Sequence, residues 1–244
     1  MTSPLSSGKI SVLVVDDSPV ARRLIIGQLS RDSDIVVAGE AENGLEALRM
    51  VMDLKPDLVT IDIEMPLMGG LAAIEQIMAR RPVPILVLTA RDDADVAFAA
   101  LAKGALEVME KPRADHPGST LAARVKALAG ISLDSLLRKD RKPLGLQVRH
   151  ERLHSPRVSL RGVVAIASST GGPRALTVIL STLPPDLPAA VVVAQHMSEG
   201  FTEGMVNWLA VNSRLPVQTA GEGTDLAPGN VYIAPSERNM QVGR

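Results

Sequence analysis

Short apolar runs alternate with stretches of helical period along the first half of the chain. Ile10 to Val15 is a β-branched run ending in Asp16-Asp17, and it predicts a buried strand. Ser18-Pro19 then supplies an N-cap and a proline at the first helical position. Val20, Leu24 and Gln28 share a face, with Ile25 and Leu29 beside them, so a helix follows. Ile35 to Ala38 suits a second strand. Asn43-Gly44 opens a helix with Leu45, Leu48, Val51 and Met52 at helical spacing, and Lys55-Pro56 ends it. Leu58 to Ile61, Val83 to Leu88 and Leu106 to Met109 predict three more strands, closed by Asp62, Thr89 and Lys111-Pro112. Strands alternating with helices imply a parallel sheet covered on both faces, an α/β doubly wound fold.

The pattern resumes at Gly162 to Ala167, which predicts another buried strand, followed by Ser168-Ser169-Thr170-Gly171-Gly172-Pro173. Pro173 opens a helix with Leu176, Ile179, Leu180 and Leu183 on its apolar face, stopped by Pro184-Pro185. Ala190 to Ala194 predicts a strand ending at Gln195-His196-Met197. Phe201, Met205, Trp208 and Leu209 mark an amphipathic helix, and Val217 to Ala220 and Val231 to Ala234 two further strands. These readings divide the chain into a disordered polar tail (1–8), a first module (9–130), a basic linker (131–161) and a second module (162–244).

Composition narrows the class. Hydrophobic content of 46% is ample for packed cores, but two Phe, one Trp and one Tyr make those cores aliphatic. Few aromatics and a net charge of -1 argue against a nucleic-acid surface. Between Arg138 and Arg161 eight Lys/Arg face only Asp140 and Glu151, which reads as a solvated spacer. His150 and His154 in it lack the partners of a metal site. With no cysteine, disulfides, Cys-zinc sites and thiol catalysis are excluded. No apolar run approaches the ~20 residues that span a bilayer, and the start has no signal-peptide core. The expected setting is therefore cytoplasmic, without membrane insertion.

In parallel α/β sheets ligands bind beyond the carboxyl ends of the strands. Asp16, Asp17, Asp62, Thr89 and Lys111 all sit there. A lone Asp-Asp pair reads as solvated loop charge, whereas five such residues at strand ends read as one site. Three carboxylates are hard oxygen ligands suited to Mg²⁺. Lys111 can balance phosphoryl charge and Thr89 can donate a hydrogen bond. Val14-Val15-Asp16-Asp17-Ser18, Ile61-Asp62-Ile63-Glu64-Met65-Pro66, Leu88-Thr89-Ala90 and Glu110-Lys111-Pro112 resemble response-regulator receiver domains. The resemblance implies a flavodoxin-like sheet of five parallel strands and phosphorylation on Asp62. It also implies Mg²⁺ held by Asp16, Asp17, Asp62 and the backbone carbonyl of Glu64. Receivers usually carry Tyr or Phe where this chain has Val108.

In the second module Ser169 falls on a strand-to-helix turn, a geometry that lifts a hydroxyl above a sheet beside backbone N–H groups. His196 ends a neighbouring strand and can exchange the serine proton. The Gly171-Gly172 turn alone equally suits a phosphate or dinucleotide, although G-x-G-x-x-G spacing is absent. Ala165 to Pro173, Gln195-His196-Met197, Gly200-Phe201-Thr202 and Val231 to Pro235 resemble the chemotaxis protein-glutamate methylesterases, the CheB family. That resemblance implies an α/β hydrolase-type domain with Ser169 as nucleophile and His196 as general base. Thr170, Gly171 and Gly172 would form the turn and oxyanion site. It implies methylated chemoreceptors as substrate, glutamine deamidation besides ester hydrolysis, and no cofactor for the hydrolysis. It further implies a chemotaxis histidine kinase as phosphodonor, whose action relieves inhibition by the receiver. The family's triad aspartate lies in a downstream Gly-Met-Gly-x-Asp-Gly segment that this sequence lacks, so the catalytic domain reads as incomplete. Asp186, Glu199, Glu222, Asp225 and Glu237 are the substitutes considered. The chain also has Ala167 where the family has Gly, and Asn239 where it has His. The alternative to an enzyme is a phosphate sink or adaptor, which needs only Asp62.

Overall fold

The computed structural model describes residues 8–89, 94–112, 120–131, 160, 162–169, 171–197, 200–236 and 238–243. The expected tail, up to residue 7, and nearly all of the basic linker lie outside them. The chain divides into two compact units, Met1–Leu136 and Leu137–Arg244.

The first unit runs β1 (Ile10–Val15), α1 (Pro19–Leu29), β2 (Ile35–Ala41), α2 (Gly44–Leu54) and β3 (Leu58–Ile61). It continues through α3 (Gly70–Arg80), β4 (Ile85–Thr89), α4 (Ala94–Ala102), β5 (Glu107–Glu110) and α5 (Thr120–Ala129). The five strands are all parallel in the order β2-β1-β3-β4-β5. Ser18 and Asn43 are N-caps as expected: Ala21 N donates to Ser18 Oγ at 3.3 Å and Glu46 N to Asn43 Oδ1 at 3.0 Å. Lys55 ends α2 in the left-handed conformation, with φ 51°. Alternate residues of a strand face opposite sides of the sheet. Val12 and Val14 pack with Ile25 and Leu29 of α1 and with Leu121, Val125 and Leu128 of α5. Leu13 and Val15, of opposite parity, are equally buried. The helices α3, α4 and α5 add to the elements expected from the sequence.

The second unit runs β6 (Gly162–Ser168), α6 (Gly172–Thr182), β7 (Ala189–Gln195), α7 (Thr202–Asn212), β8 (Val217–Thr219) and β9 (Val231–Ile233). Its sheet is parallel in the order β6-β7-β9-β8. Ala190, Val192 and Tyr232 form a core on one face, with Leu226 and Met240 against it. Leu176 and Leu180 of α6 and Met205 and Leu209 of α7 are buried. Two expectations need correction. The strand from Gly162 is not buried: among the described residues β6 is an edge strand paired only with β7, and Val163 and Val164 are 40% and 44% exposed. Ile179 likewise faces solvent, because the α6 face that packs is set by Leu176 and Leu180.

Candidate functional site

Two separate sites form, one at the carboxyl edge of each sheet. In the first unit, β1 delivers Asp16 and Asp17, β3 delivers Asp62, β4 ends in Thr89 and β5 leads into Lys111. One ligand oxygen from each of Asp16, Asp17 and Asp62 lies within 4.8 Å of the others. Asp16 is buried, Asp62 is 5% exposed, and Asp17 faces solvent. The backbone fixes this set. Ser18 N donates to Asp16 Oδ1 at 2.9 Å, and Ile63 N to Asp62 Oδ1 at 2.8 Å. The buried Arg22 donates through Nη1 to the Asp16 carbonyl at 2.6 Å and through Nη2 to Glu42 at 2.6 Å, tying the β1–α1 turn to the segment after β2. Gly70 is required for close approach, since a Cβ there would collide with the Asp62 carbonyl.

Lys111 bridges the carboxylates. Its Nζ donates to Asp62 Oδ2 at 2.7 Å and lies 2.8 Å from Asp16 Oδ2. The second contact is an ion pair without hydrogen-bond geometry, so Asp16 Oδ2 keeps its lone pairs for another cation. Burial pushes the Asp62 carboxyl above its ordinary range, and neighbouring Asp16 adds to this against the lowering effect of Lys111. Burial alone would lower the Lys111 ammonium, but its contacts with the Asp16 and Asp62 carboxylates outweigh it and raise it. Three carboxylates against one ammonium leave the site short of positive charge, and the chemistry of this donor set fits Mg²⁺. A shallow open pocket beside it is lined by Asp17, Asp62, Glu64, Met65, Pro66 and Lys111. Thr89 is buried, and its carbonyl accepts Lys111 N at 2.9 Å. Val108 on β5, in register with Val87 of β4, is half-buried.

In the second unit, β6 and β7 are paired in register from Gly162↔Ala189 to Ser168↔Gln195. The pairing extends one step further, with His196 N donating to the Ser168 carbonyl at 2.9 Å. Ser169 and His196 therefore leave adjacent strands side by side. Ser169 Oγ lies 3.4 Å from His196 Nδ1. Both residues are exposed. The distance is long for a hydrogen bond, as is common in catalytic pairs before substrate binds. Gly172 N donates to the Ser169 carbonyl at 2.8 Å, closing the turn into α6. Gly171 takes φ 73°, a conformation open to glycine. Gly172 thus spends its N–H on the turn. Thr170 lies outside the described residues.

Sequence reasoning passed over one participant, Gln195. Its Nε2 donates to the Ser169 and His196 carbonyls, each at 2.9 Å, and its Oε1 accepts from Ser168 Oγ at 2.6 Å. The neighbouring Ser168 hydroxyl is thereby engaged by Gln195, while that of Ser169 points to the imidazole. Of the acidic residues considered as orienting groups, Asp186, Glu222 and Asp225 are solvent-exposed. Glu199 and Glu237 lie outside the described residues. No helix among the described residues is long and apolar enough to cross a membrane.

Comparison with known proteins matches each unit to a family. Residues 12–121 match the response regulator receiver domain and residues 164–244 the CheB methylesterase. A protein-glutamate methylesterase/protein-glutamine glutaminase of Paramagnetospirillum magneticum is 42% identical over 241 residues, covering 96% of this chain and 68% of the relative. One from Anaeromyxobacter dehalogenans is 42% identical over 244 residues, covering 96% of this chain and 69% of the relative. The crystal structure of the response regulator domain of Thermotoga maritima CheB aligns at 31% identity and a TM-score of 0.46, covering 51% of this chain and 98% of that one.

Proposed function

The chain belongs to the CheB methylesterase family, with a response-regulator receiver domain ahead of its methylesterase domain, and on that premise we propose a phosphorylation-gated protein-glutamate methylesterase. The observation that carries the catalytic reading is the Ser169 hydroxyl 3.4 Å from the His196 imidazole at the ends of paired strands. In this reading residues 9–130 are the receiver, 131–161 a basic linker and 162–244 the catalytic part. The substrates are methylated glutamates of chemotaxis receptors and, in line with the protein-glutamine glutaminase named in the relatives, glutamines of the same receptors. A chemotaxis histidine kinase supplies the phosphoryl group, and the protein works in the cytoplasm.

At the receiver, Asp62 is the acceptor and one of its carboxylate oxygens attacks phosphorus, releasing the donor's leaving group. Asp16, Asp17, Asp62 and the Glu64 carbonyl would hold Mg²⁺, which would offset the charge of an anionic phosphodonor next to a carboxylate nucleophile. Lys111 then exchanges its bond to Asp62 Oδ2 for one to a phosphoryl oxygen, and the Thr89 hydroxyl donates to another.

At the catalytic site Ser169 Oγ attacks the ester carbonyl carbon while His196 takes its proton. The tetrahedral intermediate collapses with loss of methoxide, which leaves as methanol after taking that proton from the imidazolium. Water then attacks the acyl-serine as His196 takes its proton, the bond to Ser169 Oγ breaks with return of that proton to Oγ, and the receptor's glutamate side chain leaves as a free carboxylate. Gly171 at the N-terminus of α6 offers its backbone N–H to the oxyanion.

The test is methanol release from methylated chemoreceptor membranes, with and without Mg²⁺ and a small phosphodonor. Release that rises with phosphodonor, and is lost in Ser169→Ala and unstimulated in Asp62→Asn, is expected. Phosphoryl uptake on Asp62 without any Ser169-dependent release would replace this reading with that of a phosphate sink or adaptor.

A further inference from the structure

Gln195 makes three side-chain hydrogen bonds at the carboxyl edge of the second sheet, and the proposed chemistry assigns it no part. Both of its Nε2 bonds end on main-chain carbonyls, those of Ser169 and His196, at 2.9 Å. A carbonyl only accepts, so two such bonds settle which end of the amide is nitrogen. Oε1 then accepts from Ser168 Oγ at 2.6 Å. One amide is thereby held by the residue before the nucleophile while it holds the nucleophile and the imidazole-bearing residue. The packing has been kept clear for it: a Cβ on Gly172 would collide with Gln195 Oε1 and come within 2.9 Å of Ser168 Cβ.

We propose that Gln195 is a positioning residue that sets the Ser169–His196 pair, a reading that rests on the hydrolase function proposed above. The strand ladder alone does not determine this pair. Its last bond runs from His196 N to the Ser168 carbonyl, after which both chains leave the sheet. Beyond that point the backbones are joined by the Gln195 amide, which spans the gap from Ser169 O to His196 O. A shift of about 1 Å in either backbone would open the 3.4 Å Oγ–Nδ1 distance past any hydrogen bond. Misplacement of that size can cost on the order of 10²-fold in rate. Gln195 touches no reacting atom, so its effect acts entirely through the two residues it holds.

The experiment is a double-mutant cycle on the full chain, read in the ¹⁵N resonances of the His196 ring, assigned by loss in His196→Ala. Ser169→Ala is introduced into the wild type and into Gln195→Met, which keeps the side-chain length and removes the amide. Ser169 phosphonylation by a fluorophosphonate is measured beside it. The expected result is that Ser169→Ala shifts the His196 Nδ1 resonance in the wild type and not in Gln195→Met, with phosphonylation about 10²-fold slower in the latter. Gln195→Glu, whose ionised carboxylate keeps the shape but cannot donate, repeats the loss and serves if Gln195→Met does not fold. An equal shift in both backgrounds would overturn the proposal, and so would no shift in the wild type. A shift present in the wild type and lost in Gln195→Met, in a protein that no phosphonate labels, would leave the positioning role standing and remove the hydrolase reading instead.

Discussion

Asp62 shows how a single residue can be held against its own stability. Its carboxyl is pushed up mainly by burial, so the fold disfavours the ionised form. At pH values above the ordinary carboxylate range this is a net cost to the folded state, and the cost is relieved as pH falls through the raised folded-state value. Without Mg²⁺ the first unit should therefore gain stability as pH falls through that raised value toward the ordinary carboxylate range. Asp62→Asn removes the charge at constant shape and should raise the midpoint of that unit by about 3–5 °C, corresponding to ~1 kcal/mol. It should also flatten the pH dependence. Added Mg²⁺ should stabilise the wild type more than the variant. Thermal unfolding across pH with and without Mg²⁺ decides it, and an unchanged or lower midpoint in Asp62→Asn would contradict the account. Gly172 gives the opposite case. A Cβ there displaces Gln195 from its seat, so Gly172→Ala should cost about 1–3 kcal/mol in the second unit and slow phosphonylation of Ser169 together. Loss of stability with full labelling would separate packing from positioning.

At the scale of elements, most strands could be read because each is a compact apolar run closed by a polar residue. Leu58–Ile61 was expected with its observed ends, and Ser18 and Asn43 announce their helices through cap chemistry. Helices α3 to α5 were harder. Ala94–Ala102 is rich in Ala, and its polar and apolar faces contrast little. The acidic site was legible since its residues fall at strand ends whatever the strand order. Gln195's role was not, because its reach depends on the Ser168↔Gln195 register, which no local pattern encodes. Nor can a continuous run such as Gly162 to Ala167 distinguish a central strand from an edge. Among the described residues β6 lies at the edge, with Val163 and Val164 of opposite parity both exposed. An apolar strand edge is a template for pairing with other chains. Val164→Lys should therefore reduce self-association of the full chain, measured by light scattering on concentration and mild heating. Its effect on folding stability should stay within about 0.5 kcal/mol, as expected of an exposed site. Equal association in the variant would mean that β6 is not the sticky edge.

On the scale of the whole molecule, each unit has its own parallel sheet, its own core and its own site at the carboxyl edge. Gating then requires a coupling free energy between two sites that share no residue, and coupling is reciprocal. If phosphorylation of Asp62 favours a state in which Ser169 accepts substrate, occupying Ser169 must favour the phosphorylated form of the receiver by the same factor. A phosphonate adduct on Ser169 stands for the occupied catalytic site, and beryllofluoride with Mg²⁺ stands for the phosphoryl group on Asp62. Calorimetric titration of beryllofluoride into the phosphonylated chain should give an affinity about 5- to 150-fold above that of the unmodified chain, the usual range of allosteric coupling. The increase should vanish when the receiver alone, residues 1–136, is titrated after the same treatment, since that segment carries no Ser169. Equal affinities with and without the adduct would mean that the two sites are energetically independent. The protein would then hydrolyse esters and accept phosphoryl groups without one activity governing the other.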